Sequence, residues 1–339
     1  MRCWLAIASV VLAAFTAAPA SAQEKPELAK VRLAVGGKPA LFYLPLTVVE
    51  RLGLFREQGL DVEISDFPGG ARALQALIGG SADVVTGSFE HTIQMQAKNQ
   101  PVVGIVQLGR FPGYVLGVLA ARAQTYREPK DLKGMKIGIT APGSGTHFMV
   151  QYFMVRNGLK TDDASFVGVG ASASAVAAVK RGEIDAIVNV DPVIGVLESQ
   201  NLIKVVADTR TENGTRQIFG GVYPAATLYA QPAFVAKNPR TVQALATAFV
   251  RGLTWIASHS ADEVAAVMPE EYALGDKALY VQSIKNSLPM YSPDGRFSRE
   301  GAETAYTVLK EFDVEVRAAR IDVTAAYTGT FVEKALAER

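Results

Sequence analysis

The stretch APGSGTHF, residues 141–148, crowds two hydroxyl groups, an imidazole and two glycines together. It reads as a loop that opens a helix. Pro142, Gly145 and their small neighbours let a ligand approach the main chain. Ser144, Thr146 and the N–H groups that follow stand where a helix start leaves donors unpaired. Those donors and the helix dipole favour an anionic or strongly polar group. A plain Ser/Thr cap accounts for one residue of the cluster and not for the rest. Neither the phosphate cradle G-x-x-x-x-G-K-[ST] nor the dinucleotide pattern G-x-G-x-x-G is present. Ser144 and His147 lie close in sequence, but no strand-turn-helix G-x-S-x-G surrounds them, so no activated nucleophile is expected. His91 and His147 could move protons or bind a metal. Neither has a partner at metal-ligand spacing, and a hydrogen-bonding or packing role is expected. This reading gives no catalytic residue, no metal and no cofactor.

The other candidates fall in similar loops. Glu90 and Asp191 follow the third strand of each half of the chain; they could hold a ligand amine, or be solvated or tied to backbone N–H groups. Phe42, Tyr43 and Phe89 could stack on a flat ligand or belong to the core. Arg110 could neutralise an anion with its planar fork or serve as a surface ion-pair residue. Gly69, Gly70, Ser88 and Asn189 complete the set.

The elements that position these residues come from a duplicated pattern. ALQALIGGSADVV (73–85) and AVAAVKRGEIDAIV (175–188) each read as a helix running into a strand, with Gly80 matching Gly182 and Asp83 matching Asp185. A period of about a hundred residues is a domain duplication, not a solenoid. The glycines are expected to end helices at positive φ, and the aspartates to begin strands. The first half reads as strands over 31–36, 60–65, 82–87 and 101–108. The second has strands ending near 140 and over 164–170, 184–189 and 202–208. Strands alternating with helices predict parallel sheets with right-handed crossovers, and ligands bind outside the carboxyl ends of such strands. Two segments, 113–121 and 220–228, cross between the halves. Helices follow, including 239–258, with Ser260 and Ser298 as expected N-caps and Glu263 completing a capping box.

Composition narrows the function. The chain has 339 residues, 34 Lys and Arg and 33 Asp and Glu, with no basic block, so nucleic-acid binding has no electrostatic support. Arg2, the apolar run behind it and the Ala20–Ala22 A-x-A site read as a signal peptide over 1–22, cleaved after Ala22, which places the protein in the periplasm. Cys3, the one cysteine, falls within that segment, so stability must come from the core. Residues 23–30 read as a disordered leader.

FREQGLDVEI, GGARALQALIGGSADVV, EPKDLKGMKIGIT, GSGTH and VKRGEIDAIV together resemble the bacterial periplasmic substrate-binding proteins of ABC importers. The nearest type is that for nitrate, sulfonate and taurine, which is similar to binding proteins for thiamine-pyrimidine precursors. The resemblance spans nearly the whole chain after the leader. It implies a type II two-lobed α/β fold, with parallel-rich sheets flanked by helices and two crossing hinge segments. Lobe 1 would comprise 31–115 and 225–339 with the C-terminal helices, and lobe 2 would comprise 116–224. A ligand would be closed between the lobes of a monomer, whose closed form a membrane permease reads. By position in the strand-loop pattern, family ligands meet the loops that here hold Phe42, Gly69, Ser88, Ser144, Thr146, Asn189 and Asp191. Sulfonates, taurine-like zwitterions, pyrimidines and aromatic acids fit better than bare nitrate, because Phe42, Tyr43 and Phe89 suggest a larger apolar face. A periplasmic sensor or adaptor would share the fold. The fungal thiamine-pyrimidine synthases carry a cysteine-rich motif that is missing here, so an enzyme is not expected.

Overall fold

The computed structural model describes residues 25–338; the expected signal peptide lies outside them. Ten strands form two five-stranded sheets. The first half contributes β1 (Lys30–Gly36), β2 (Asp61–Phe67), β3 (Val84–Ser88) and β4 (Val103–Gln107). The second contributes β5 (Val115–Leu119), β6 (Lys136–Ile139), β7 (Ser165–Gly168), β8 (Ala186–Asn189) and β9 (Ile203–Asp208). The last strand is β10 (Ala226–Ala230). The sheet orders are β2-β1-β3-β10-β4 and β7-β6-β8-β5-β9. We call each sheet with its helices a lobe.

The expected parallel sheets are in fact mixed. β1 pairs in parallel with β2 and β3, and β6 with β7 and β8. β10 lies antiparallel between β3 and β4, and β5 antiparallel between β8 and β9. The reason is geometric. The parallel strands all end at the edge that faces the other lobe. A chain that crosses there must enter the next sheet from that edge, and so runs against its neighbours. The two segments read as crossings each donate one such strand.

Alternation fixes the faces. Val31, Leu33 and Val35 of β1 point into one core, while Ala34 faces Ala73, Leu74 and Leu77 of helix Gly70–Ile78 on the other side. In the second lobe, Val115 and Ile187 meet Val176 and Val179 of helix Ala173–Lys180. Helix Pro239–Ser258 buries Val242, Leu245, Phe249, Leu253 and Ile256 at helical spacing. Full burial of such a side chain stabilises by about 2 kcal/mol.

The duplicated markers have structural roles. Gly80 and Gly182 take φ +76° and +65° just past their helices, a conformation that favours glycine. Asp83 accepts from Arg32 N at 2.9 Å, and Asp185 accepts from Lys136 N at 2.9 Å. Each carboxylate thus ties the start of one parallel strand to its neighbour, β3 to β1 and β8 to β6. Ser260 and Glu263 form the expected capping box, and Ser298 accepts from Gly301 N. The leader read as disordered over 23–30 is docked from Glu27 onward. The Glu27 carboxylate accepts from Arg240 N at 3.1 Å and Thr241 N at 2.8 Å, capping helix Pro239–Ser258. Among the described residues no helix is long and apolar enough to cross a membrane.

Candidate ligand-binding site between the lobes

Both lobes present strand ends and helix starts to one shared cavity. Helix Gly70–Ile78 begins after β2, and helix Gly145–Arg156 begins after β6. Their first N–H groups have no partner within the helix. Phe42 and Tyr43, in the turn Leu41–Tyr43 after β1, line the cavity together with Gly70, Ser88, Ser144, Gly145 and Thr146. Tyr114, Thr140 and Val190 line it too. None of the lining side chains carries a charge.

The lobes are closed on one another. Leu41 N donates to Asp191 O at 2.8 Å, and Ala71 N donates to Ser144 Oγ at 3.0 Å. The His91 ring meets Gly143 O at 3.1 Å through Nε2. Since a carbonyl only accepts, Nε2 carries the proton and Nδ1 accepts from Tyr229 OH at 3.0 Å. Burial pushes the His91 pKa down to about 4, which keeps the ring neutral. The cavity that the lining residues enclose is about 20 Å³, roughly one water molecule. Phe42 and Tyr114 fill much of the rest, stacked with centroids 5.5 Å apart and planes at 17°. Tyr114 OH meets Ser88 Oγ at 3.2 Å. A side chain on Gly145 would run into both hydroxyls.

One bond holds the wall residue Thr146 in place, and the remaining predicted residues lie around the cavity rather than on its wall. Thr140 N donates to Thr146 Oγ1 at 3.1 Å, which fixes the Thr146 side chain. Gly69 packs its backbone against Ala141, where a Cβ would come within 2.8 Å of the alanine methyl. Asn189 donates to Gly170 O and accepts from Val190 N, joining two loops of the second lobe. Phe89 is fully buried against Phe297 and Tyr327. Arg110 donates twice to Pro289 O and does not line this cavity; it lines a separate one of about 290 Å³ with Thr215 and Tyr223. Pro142 lies beside Gly168. His147 Nδ1 accepts from Gly143 N at 3.1 Å, and burial pushes its pKa down to about 4. The Ser144 and His147 side chains therefore face different partners, and no side-chain hydrogen bond joins them among the described residues. Among those residues no group of three or more His, Cys, Asp or Glu is placed to hold a metal ion.

The two carboxylates part ways. Asp191 Oδ1 accepts from Gly195 N at 2.8 Å, and Oδ2 lies 3.7 Å from Arg210 Nη1. Burial raises its pKa, and Arg210 pulls the other way. Glu90 opens helix Glu90–Ala97 and is 1 % exposed. Its Oε1 accepts from Tyr223 OH at 3.2 Å; Oε2 has no partner among the described residues. Burial pushes its pKa up to about 7.

Sequence reasoning did not single out Tyr114, Thr140 and Val190. Thr140 and Val190 each follow directly after a strand, β6 and β8, at the mouth of a candidate loop. Tyr114 lies on the first crossing, where its position one residue before β5 was the available signal.

Residues 43–263 match the NMT1/THI5-like family. The chain belongs to that family. A solved structure from Bordetella bronchiseptica RB50 is similar at 49% identity and TM-score 0.91, covering 93% of this chain and 99% of that one. The alkanesulfonate-binding protein SsuA from Xanthomonas axonopodis pv. citri, bound to MOPS, aligns with TM-score 0.69 at 18% identity, over 89% of this chain and 99% of its own. The periplasmic nitrate-binding protein NrtA from Synechocystis PCC 6803 aligns with TM-score 0.71 at 15% identity, over 93% and 90%. These two establish the two-lobed periplasmic binding protein fold. The 4-amino-5-hydroxymethyl-2-methylpyrimidine phosphate synthase of Aspergillus parasiticus is 28% identical over 232 residues, 65% of this chain and 64% of that enzyme.

Proposed function

We propose that this family member is the extracytoplasmic solute receptor of an ABC importer. It works as a periplasmic monomer, closes its lobes on a small polar or anionic organic molecule, and delivers it to a membrane permease without chemistry or cofactor. The observation that carries this reading is the meeting of two helix starts, one from each lobe, at a single uncharged cavity. Their N–H groups supply fixed partial positive charge to an acceptor-rich head. Ser88, Ser144 and Thr146 add hydroxyls, and the Phe42 and Tyr114 rings offer faces for an apolar or planar body. A flat ligand between those rings needs roughly 7 Å, two van der Waals spacings, so the lobes must part slightly to admit it. Closure follows because contacts from both lobes exist only in the closed state.

A thermal-shift panel of sulfonates, pyrimidines, aromatic acids and simple anions tests this. A true ligand at 100 times its dissociation constant adds about 2.7 kcal/mol of stability. Stabilisation by nitrate or bicarbonate alone would remove the organic-ligand reading. The double substitution Ser144→Ala with Thr146→Ala is expected to weaken binding at least tenfold while the protein still folds; unchanged affinity would take that helix start out of the site.

A further inference from the structure

The cavity favours an acceptor-rich head, yet a buried acid, Glu90, stands behind its wall without an ion-pair partner among the described residues. Glu90 stands two residues after Ser88, which lines the cavity. The phenols of Tyr43 and Tyr114, also lining it, and those of Tyr223 and Tyr229 lie within electrostatic reach of the carboxyl. No cation pairs with Glu90 among the described residues. Its only side-chain partner there is Tyr223 OH on Oε1, and Oε2 is buried with nothing to accept from. A buried carboxyl oxygen left empty is costly. The other acid at the matching place, Asp191, is already engaged by Gly195 N and Arg210.

We infer that Glu90 determines specificity by accepting a hydrogen-bond donor of the ligand, so that the site takes molecules that join an amine to an anionic or acceptor-rich head and discriminates against plain anions. This rests on the receptor reading. A plain anion would enter a site that has no side-chain cation and a carboxyl behind its wall. An amine removes that mismatch twice: it fills the empty Oε2, and it brings the net charge of the ligand toward zero. The helix starts hold the acceptor-rich head. Phe42 and Tyr114 are the rings that must shift to let the donor through.

The test uses matched pairs that differ only by an amine: taurine and ethanesulfonate, β-alanine and propionate, 4-aminobenzoate and benzoate. Binding of each is measured by calorimetry and thermal shift on the full protein and on Glu90→Gln. For at least one pair the amine-bearing member is expected to bind at least tenfold tighter to the wild type. In Glu90→Gln that ratio is expected to fall to about one, with ligand-free stability no lower than wild type. Pairs that bind the wild type equally well, or a preference that survives in Glu90→Gln, overturn the inference and leave the receptor reading standing. A panel in which nothing stabilises the wild type overturns both.

Discussion

Glu90 and Asp191 occupy matching places in the two lobes. Each follows the third strand of the duplicated pattern by two residues, β3 for Glu90 and β8 for Asp191. Both are almost fully buried. Their surroundings differ. Asp191 is held by a backbone N–H and faces Arg210, which also binds Glu198 and Asp208 at 2.7 Å each. Glu90 has one phenol. The difference shows that a duplicated frame sets where an acid stands, while segments far along the chain decide what it does. Arg210, just after β9, turns one acid into structure. Tyr223, on the second crossing, leaves the other available.

The comparison breaks most readily at Arg210. Arg210→Ala leaves Asp191 buried without its cation and is expected to cost about 3 kcal/mol, the lower end for a broken buried pair. Urea unfolding measures it. A loss below about 1 kcal/mol would mean that Asp191 does not depend on Arg210, and the contrast with Glu90 would vanish. Asp191→Asn added to Arg210→Ala should recover part of the loss, the mark of a coupled pair.

A smaller effect sharpens the Glu90 side. Its folded pKa, about 7, stands above the usual 4.5. Between those values the folded protein holds a proton that the unfolded chain has released, so this group's contribution to stability falls as pH rises through that window and is constant above it. Glu90→Gln lacks this slope. Relative to wild type it should gain on the order of 2 kcal/mol between pH 4.5 and pH 8, measured by urea unfolding at the two values. Parallel pH profiles would show that Glu90 is not neutral when folded at low pH. The smallest effect is that of Tyr223→Phe. Losing one neutral donor should cost about 1 kcal/mol and move the Glu90 titration further upward. An unmoved titration would show that the Tyr223 hydroxyl does not govern the carboxyl.

Much of this architecture is legible in the sequence because it is local. The Gly80 and Gly182 turns, the Asp83 and Asp185 anchors, the Ser260–Glu263 box and helix 239–258 each follow from neighbours a few residues away. The loops after the strands also hold the cavity: Phe42, Tyr43, Gly70, Ser88, Ser144, Gly145 and Thr146 line it. What the sequence hides is pairing over long separations. Nothing local says that 226–230 lies between β3 and β4, that Tyr223 meets Glu90, or that Arg210 reaches Asp191. Phe89 and Arg110 have the right chemistry for a ligand, and only packing against Phe297, Tyr327 and Pro289 reveals their other duties.

The central placement of β10 bears on how the molecule is made. Residues 115–208 supply every strand of the second sheet, so that sheet can close as soon as they are available. The first sheet cannot, because β3 and β4 touch only through β10. β1, β2 and β3 can pair at once, but β4 must wait for residues 226–230. Until then β3 carries an open edge, and such an edge pairs with whatever strand arrives first. A second copy of the chain offers an identical β10. The lobe begun first is therefore the one finished last, and a crowded nascent population is most exposed to strand exchange at β3.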